Sequence, residues 1–198
     1  MPRKSPEFSQ DLAAGTLPQT RHLGGPAPSG LNSEGPRLTG LGPMVDERTR
    51  LLVLGSFPGV ASLQAAQYYA HPRNQFWPIV GTLLGWDWRE LSYAQRLQAA
   101  CDSGLGIWDT YAACQRQGSL DSAIRQPEFN DFASLLPWLP ALAGIAHNGA
   151  ESARARRYTA SFGVPVFQLP STSPANASWS LERKLAAWRE VFATCGLI

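Results

Sequence analysis

Lysine is nearly missing from this chain: only Lys4 and Lys184 occur among its 198 residues. Chemistry that needs an amine nucleophile therefore has one candidate, Lys184, beyond the N-terminal stretch. Cysteine is scarce too. Cys101, Cys114 and Cys195 are widely separated. An odd, scattered set argues against a disulfide framework and gives neither a zinc nor an iron–sulfur pattern. The three read as buried, reduced thiols. No stretch of 18 apolar residues exists, so no membrane-spanning helix is expected. Arg3 and Lys4 have no apolar run behind them, so no secretory signal is expected and the cytoplasm is the expected compartment. A positive excess is also lacking. The formal net charge is +2, and residues 46–198 hold thirteen Lys and Arg against twelve Asp and Glu. Charge alone does not point to nucleic acid, and any basic surface has to be local.

What is present falls into two parts. Residues 1–45 are rich in Pro, Gly, Ser and Thr, and Gly24-Gly25-Pro26-Ala27-Pro28-Ser29-Gly30 and Gly35-Pro36 interrupt any periodic pattern. Such a composition buries too little apolar surface to offset its ordering entropy. A disordered tail is expected over 1–45 and a folded domain over 46–198. Leu51-Leu52-Val53-Leu54-Gly55 has the unbroken apolar character of a buried parallel strand. Further strands are expected over 104–111, 144–148 and 164–169. Helical patterns lie over 74–84, 90–102, 150–160 and 181–194, with a short helix at 132–136 stopped by Pro137. In the last helix Leu181, Leu185, Trp188 and Phe192 form one stripe. This alternation predicts an α/β fold with a mainly parallel sheet, whose strand carboxyl ends carry the functional loops.

Those loops begin at Gly55, Tyr111, Asn148 and Leu169. In Gly55-Ser56-Phe57-Pro58-Gly59 a tight turn lets backbone approach a ligand closely. In Tyr68-Tyr69-Ala70-His71-Pro72-Arg73-Asn74-Gln75-Phe76-Trp77, aromatic faces able to stack on bases sit beside Asn and Gln able to hold polar edges. Phe76 and Trp77 are expected to pack at a helix start, whereas Tyr69 and Asn74 lie outside a clean apolar stripe. In Leu169-Pro170-Ser171-Thr172-Ser173-Pro174-Ala175-Asn176-Ala177, backbone and hydroxyl donors can meet phosphate. Turn chemistry or core packing also accounts for each segment taken alone.

In this order the three segments resemble the uracil-DNA glycosylase superfamily. Its hypoxanthine-DNA (deoxyinosine) glycosylase branch is the nearest, and the mismatch-specific glycosylases come next. The resemblance spans about residues 48–195 and is most specific from Gly55 to Trp77. It implies a three-layer α/β/α sandwich with a short, mainly parallel sheet. It also implies an enzyme that flips a deaminated base out of DNA and hydrolyses its N-glycosidic bond, leaving an abasic site. Members that cut uracil carry Asp or Asn where this chain has Phe57, and His or Asn where it has Leu169. The resemblance therefore favours hypoxanthine and gives the catalytic role to Asn74, which can orient water through its carbonyl or donate to the base through its amide. It also makes Tyr69 the ring that stacks on the flipped base. A uracil or G/U mismatch glycosylase and a non-catalytic binder of damaged DNA are the alternatives.

The remaining candidates come from position and chemistry. Ser56, Phe57, Asp109 and Asn148 are candidate base contacts. Gly59, Arg73, Ser171, Thr172 and Ser173 are candidate DNA contacts, and Arg116 is a further phosphate contact. An ionised Asp109 can accept the N1–H of hypoxanthine, which adenine lacks; a cap or turn role is the other reading. His71 is expected to shape its loop, and Arg154, Arg156 and Arg157 to form a solvated face. Ser119 and Asp121 resemble a loop of this branch without a defined job. Lys184 is expected away from all three loops, so a Schiff base and strand cleavage are not expected. No metal or other cofactor is expected, the partner is DNA containing deaminated bases, and the protein is expected to act as a monomer.

Overall fold

The computed structural model describes residues 35–198. Strand β2 (Leu51–Gly55) is buried on both faces, as its unbroken apolar run requires of a central strand. Strand β3 (Leu105–Asp109) pairs with it on one side and β6 (Gly144–Asn148) on the other, with β7 (Val166–Leu169) beyond. All four are parallel. The register sets Gly55 against Asp109 and Asn148 against Leu169, so the loops leaving these strands emerge along one edge. Helices α2 (Phe76–Leu84) and α6 (Leu181–Thr194) pack on each other, α6 also on β7, and α3 (Tyr93–Asp102) on β3. A parallel sheet with helices around it is the expected three-layer arrangement. Its core joins the β2 side chains to Ile107, Ile145, Phe76, Trp77, Trp188 and Phe192.

Local signals account for the helix ends. Ser92 and Gln95 form a capping box at α3, and the Ser180 hydroxyl accepts from Arg183 N–H at α6. The buried face of α6 carries Lys184, Trp188, Val191 and Phe192, while Leu181 in its first turn is exposed.

The strand expected over 104–111 breaks at Thr110. Strand β4 (Tyr111–Gln115) leaves the parallel sheet and is the middle of an antiparallel one, between β1 (Arg37–Thr39) and β5 (Arg125–Phe129). Thr110 and Tyr111 still donate to the carbonyls of Gly55 and Ser56 at 2.8 and 3.0 Å. Apolar residues continue across the break, so pattern alone does not register the change of partner. Strand β5 is exposed throughout and carries Pro127, which suits an edge.

The tail boundary also moves. Residues 1–34 lie outside the described residues, but β1 falls within the stretch expected as tail. Leu38 packs against the cluster of Phe57, Tyr111, Cys114 and Ile124. Met44 exchanges two backbone hydrogen bonds with Ile107. One apolar residue in a polar window escapes a composition argument when its partners are distant in sequence. Helix α1 (Val60–Ala65), also read as loop, is six residues long and ends at Ala66 in the left-handed region. The helix expected over 150–160 is a 3-10 turn, Ser152–Ala155, followed by α5 (Arg156–Thr159). No helix among the described residues is long and apolar enough to cross a membrane.

Candidate active site

The strand-end loops enclose a cavity of about 990 Å³, at the top of the roughly 300–1,000 Å³ range of ligand clefts. Tyr69, Asn74, Ser56, Phe57, Gly59, Asp109, Asn148, Ser171, Thr172 and Ser173 all line it. Arg73 does not line it and is exposed.

Tyr69 is held in an unusual conformation. Its φ of 56° lies in the left-handed region, where a bulky residue costs about 1–3 kcal/mol. One face of its ring stacks on Phe76, with centroids 3.8 Å apart and planes 15° apart. Its hydroxyl accepts from Asn148 Nδ2 at 3.3 Å, and burial pushes its ionisation well above the usual phenol range.

Asn74 is fixed at the entrance to α2. Its Oδ1 accepts from Phe76 N–H at 3.0 Å, which orients the amide, because the reverse flip would set N–H against N–H. One Oδ1 lone pair and the Nδ2 hydrogens remain. His71 Nδ1 accepts from Arg73 N–H at 3.1 Å, the loop-shaping bond expected beside Pro72.

Asp109 ends β3 with only 4% of its surface exposed. Its Oδ2 is buried with no hydrogen-bond partner. Gly55 makes room for the carboxyl, since a Cβ at that position would overlap Asp109 Oδ1. Burial pushes this carboxyl up to about 7, with the Arg116 guanidinium opposing the rise and Asp121 adding to it. Close to neutral pH a large share of Asp109 therefore keeps its proton, so the ionised acceptor read from sequence is not the only form present.

Three expected contacts are committed inside the protein. Asn148 spends its amide hydrogens on Thr172 Oγ1 (2.9 Å) and the Tyr69 hydroxyl, and its Oδ1 accepts from Thr172 N–H at 2.9 Å. Thr172 is buried by the same bonds, and its carbonyl accepts from Gln75 N–H. Its N–H is not available to phosphate. Arg116, 1% exposed, sits beneath the first loop. It donates to Pro58 O at 2.5 Å, and its guanidinium lies 5.0 Å from the Phe57 ring centroid. It supports the Gly55–Gly59 turn and does not present itself to solvent.

Lys184 corrects another expectation. It is buried, and its Nζ donates to Gln75 Oε1 at 2.7 Å and Asn176 O at 3.0 Å. It ties the second loop to the third from behind and does not line the cavity. Asp121 is, with Ser119, a cavity residue to which the sequence assigns no role. It accepts from the Ser56 hydroxyl at 2.6 Å, a partner 65 positions away that no local pattern reveals. His147, in β6, is a core residue bonded to Ser152 and Thr159 hydroxyls at 2.8 and 2.9 Å, and burial lowers it to about 4. Arg154, Arg156 and Arg157 form an exposed face as expected.

The family model of the uracil DNA glycosylase superfamily matches residues 43–192. A hypoxanthine DNA glycosylase of Methanosarcina barkeri is 36% identical over 153 residues, covering 77% of this chain and 96% of that protein. Its namesake from Methanosarcina acetivorans is 36% identical over 149 residues, covering 75% and 94%. A solution structure from Methanosarcina acetivorans, whose name gives uracil DNA glycosylase as a candidate activity, superposes with a TM-score of 0.73. It is 34% identical and covers 81% of this chain and 99% of that one. The match takes in every loop of the cavity, and the chain belongs to the uracil DNA glycosylase superfamily.

Proposed function

We propose that this protein is a monofunctional DNA glycosylase that releases hypoxanthine from DNA and leaves an abasic site. The observation that carries this is the buried Asp109 carboxyl, its Oδ2 without a hydrogen-bond partner, in the same cavity as Tyr69 and Asn74. The names of the two 36%-identical relatives support it. The cavity offers uracil chemistry little: Phe57 and Leu169 stand where an acceptor and a donor would be needed.

Flipping the base costs about a few kcal/mol, less for a mismatched or damaged pair. The extruded base lies on the face of Tyr69 turned away from Phe76. Hypoxanthine presents N1–H beside C6=O. A neutral Asp109 accepts the first on one oxygen and donates its own proton to O6 from the other. As the bond from N9 to C1′ breaks, negative charge moves onto the base and the donated bond strengthens. Burial that keeps a carboxylic acid neutral for such a donation is a known catalytic device. An ionised Asp109 would oppose that charge. A neutral acid also fits the edge of adenine, so discrimination falls to the weaker pairing of the lesion in the duplex.

Asn74 Oδ1, fixed by Phe76 N–H, orients a water towards C1′ with its remaining lone pair. The water oxygen bonds to C1′, the base leaves with the bonding pair, and the water proton ends on the base. Asn148 and Thr172 hold Tyr69 in place. Gly59, Arg73, Ser171 and Ser173 lie along or beside the rim as contacts for the sugar–phosphate backbone. The protein works as a monomer.

The test is a duplex oligonucleotide panel with a single inosine, xanthosine or uracil, scored by released base and alkali-labile abasic sites. Hypoxanthine release is expected, with a loss of about a hundredfold or more for Asn74→Ala, the order that misplacing a reacting group costs. Release of uracil alone, or full activity in Asn74→Ala, refutes the proposal.

A further inference from the structure

A flipped nucleotide leaves a hole in the base stack, and the enzyme has to stop the base from falling back. Proteins that distort DNA this way often insert an apolar side chain such as Leu, Phe or Pro between base steps. The segment after β7 exposes little for this among the cavity-lining residues: Ala175 is a single methyl, and Pro174 and Trp179 are half-buried. Leu120, in the loop after β4, also lines the cavity. It is 60% exposed, and among the large exposed hydrophobic residues described it alone lines the cavity.

An isolated exposed leucine needs no explanation, but the backbone around this one is pinned. On one side Ser119 Oγ accepts from Val60 N–H at 3.0 Å. On the other, the Asp121 carboxylate accepts from the Ser56 hydroxyl at 2.6 Å. The Leu120 carbonyl accepts from Ala123 N–H at 3.1 Å, and that of Asp121 from Ile124 N–H at 3.0 Å. Ser56 belongs to the first strand-end loop and Val60 to the first turn of α1, so the tip is braced against the cavity wall itself. The bonds fix where the side chain starts and leave it in solvent. An exposed apolar group held on stiff backbone beside a base-sized cleft loses little entropy when it enters a partner.

We propose that Leu120 is the wedge that fills the stack vacated by the flipped base, which gives the Ser119–Asp121 bracing its role. The inference rests on the glycosylase function proposed above. The occupant is the gap in duplex DNA, because the leucine shares its rim with the pocket that receives the extruded base.

A wedge matters only where there is a stack to hold open. Leu120→Ala is therefore expected to slow hypoxanthine release from duplex DNA by about tenfold or more, given the cost of unstacking. Release from the same strand without its complement should stay within about twofold, because that substrate needs no flipping. Leu120→Met should restore most of the duplex rate. A second readout is 2-aminopurine placed next to the inosine: its fluorescence should rise on binding wild type and much less with Leu120→Ala. A duplex rate within about twofold of wild type, or equal losses on both substrates, overturns the wedge. If wild type releases no base from either substrate, the proposed function fails, while the fluorescence pair still decides the wedge. An equal rise in both proteins counts against it.

Discussion

Asp109 gives the sharpest handle on the chemistry. Its carboxyl moves from 3.8 to about 7 on folding, mainly through burial. About 3 pK units at 1.36 kcal/mol each is roughly 4 kcal/mol, an upper figure for a 4% exposed group. The folded state binds the proton more tightly than the unfolded state. Between about pH 4 and 7 the unfolded chain has already lost it, so stability falls as pH rises through that window and levels off above 7. Asp109→Asn does not titrate. Urea denaturation at about pH 4.5, 6 and 7.5 should show its stability relative to wild type growing by roughly 1.4 kcal/mol per unit until about 7, then no further. Single-turnover hypoxanthine release should be flat in acid and decline above about 7 in wild type, with no such limb in Asp109→Asn. Parallel stability curves would show that the carboxyl is not desolvated as described. A wild-type rate that rises through pH 7 would show that the ionised acid works, and the neutral-donor mechanism would be wrong.

Two further outcomes are expected. Gly55→Ala forces a methyl onto Asp109 Oδ1 and within 3.5 Å of the Tyr69 hydroxyl; it should cost about 1–3 kcal/mol in urea denaturation and lower hypoxanthine release at least about tenfold, and wild-type behaviour on both counts would remove the close approach from the site. Lys184→Met strands Gln75 Oε1 and Asn176 O and should cost about 1–3 kcal/mol, while borohydride should trap no DNA adduct in either protein. An adduct in wild type that disappears in the variant would establish a Schiff base and end the monofunctional assignment.

How legible these features were in sequence depends on where their causes lie. β2 and α6 are written locally, one as an unbroken apolar run and the other as a periodic stripe behind a serine cap, and both were expected within a residue or two. The antiparallel sheet was not, because β1 has one apolar residue and β5 is exposed with a proline inside it. The three loops stood out by residue type and order, and they do meet around one cavity. Their internal wiring did not stand out. The bonds from Ser56 to Asp121 and from Lys184 to Gln75 join positions 65 and 109 apart. Arg116 and Thr172 look like phosphate ligands on paper because Arg and Thr are good ones. Only packing shows that their donors face inward.

Asp109 shows the same limit in its sharpest form. A sequence gives an acid its usual ionisation, and the shift here comes from β2, β3 and the first loop closing around it. The consequence reaches the proposed function, because an ionised Asp109 against the base would be repelled by the negative charge that gathers there as the base departs, whereas Asp121 in the same cavity is turned to the Ser56 hydroxyl. Tyr69 and Asn74 carry no charge at working pH, so with Asp109 in its protonated form the three groups proposed to meet the base meet it as neutral donors, acceptors and a ring. Such groups gain from a dry pocket without incurring the cost of a buried ion. A near-neutral domain that acts on a highly charged polymer is then no contradiction. In the proposed mechanism attraction to phosphate falls to exposed side chains outside the cavity such as Arg73, and Tyr69, Asn74 and the protonated Asp109 meet the base without charge until the glycosidic bond starts to break.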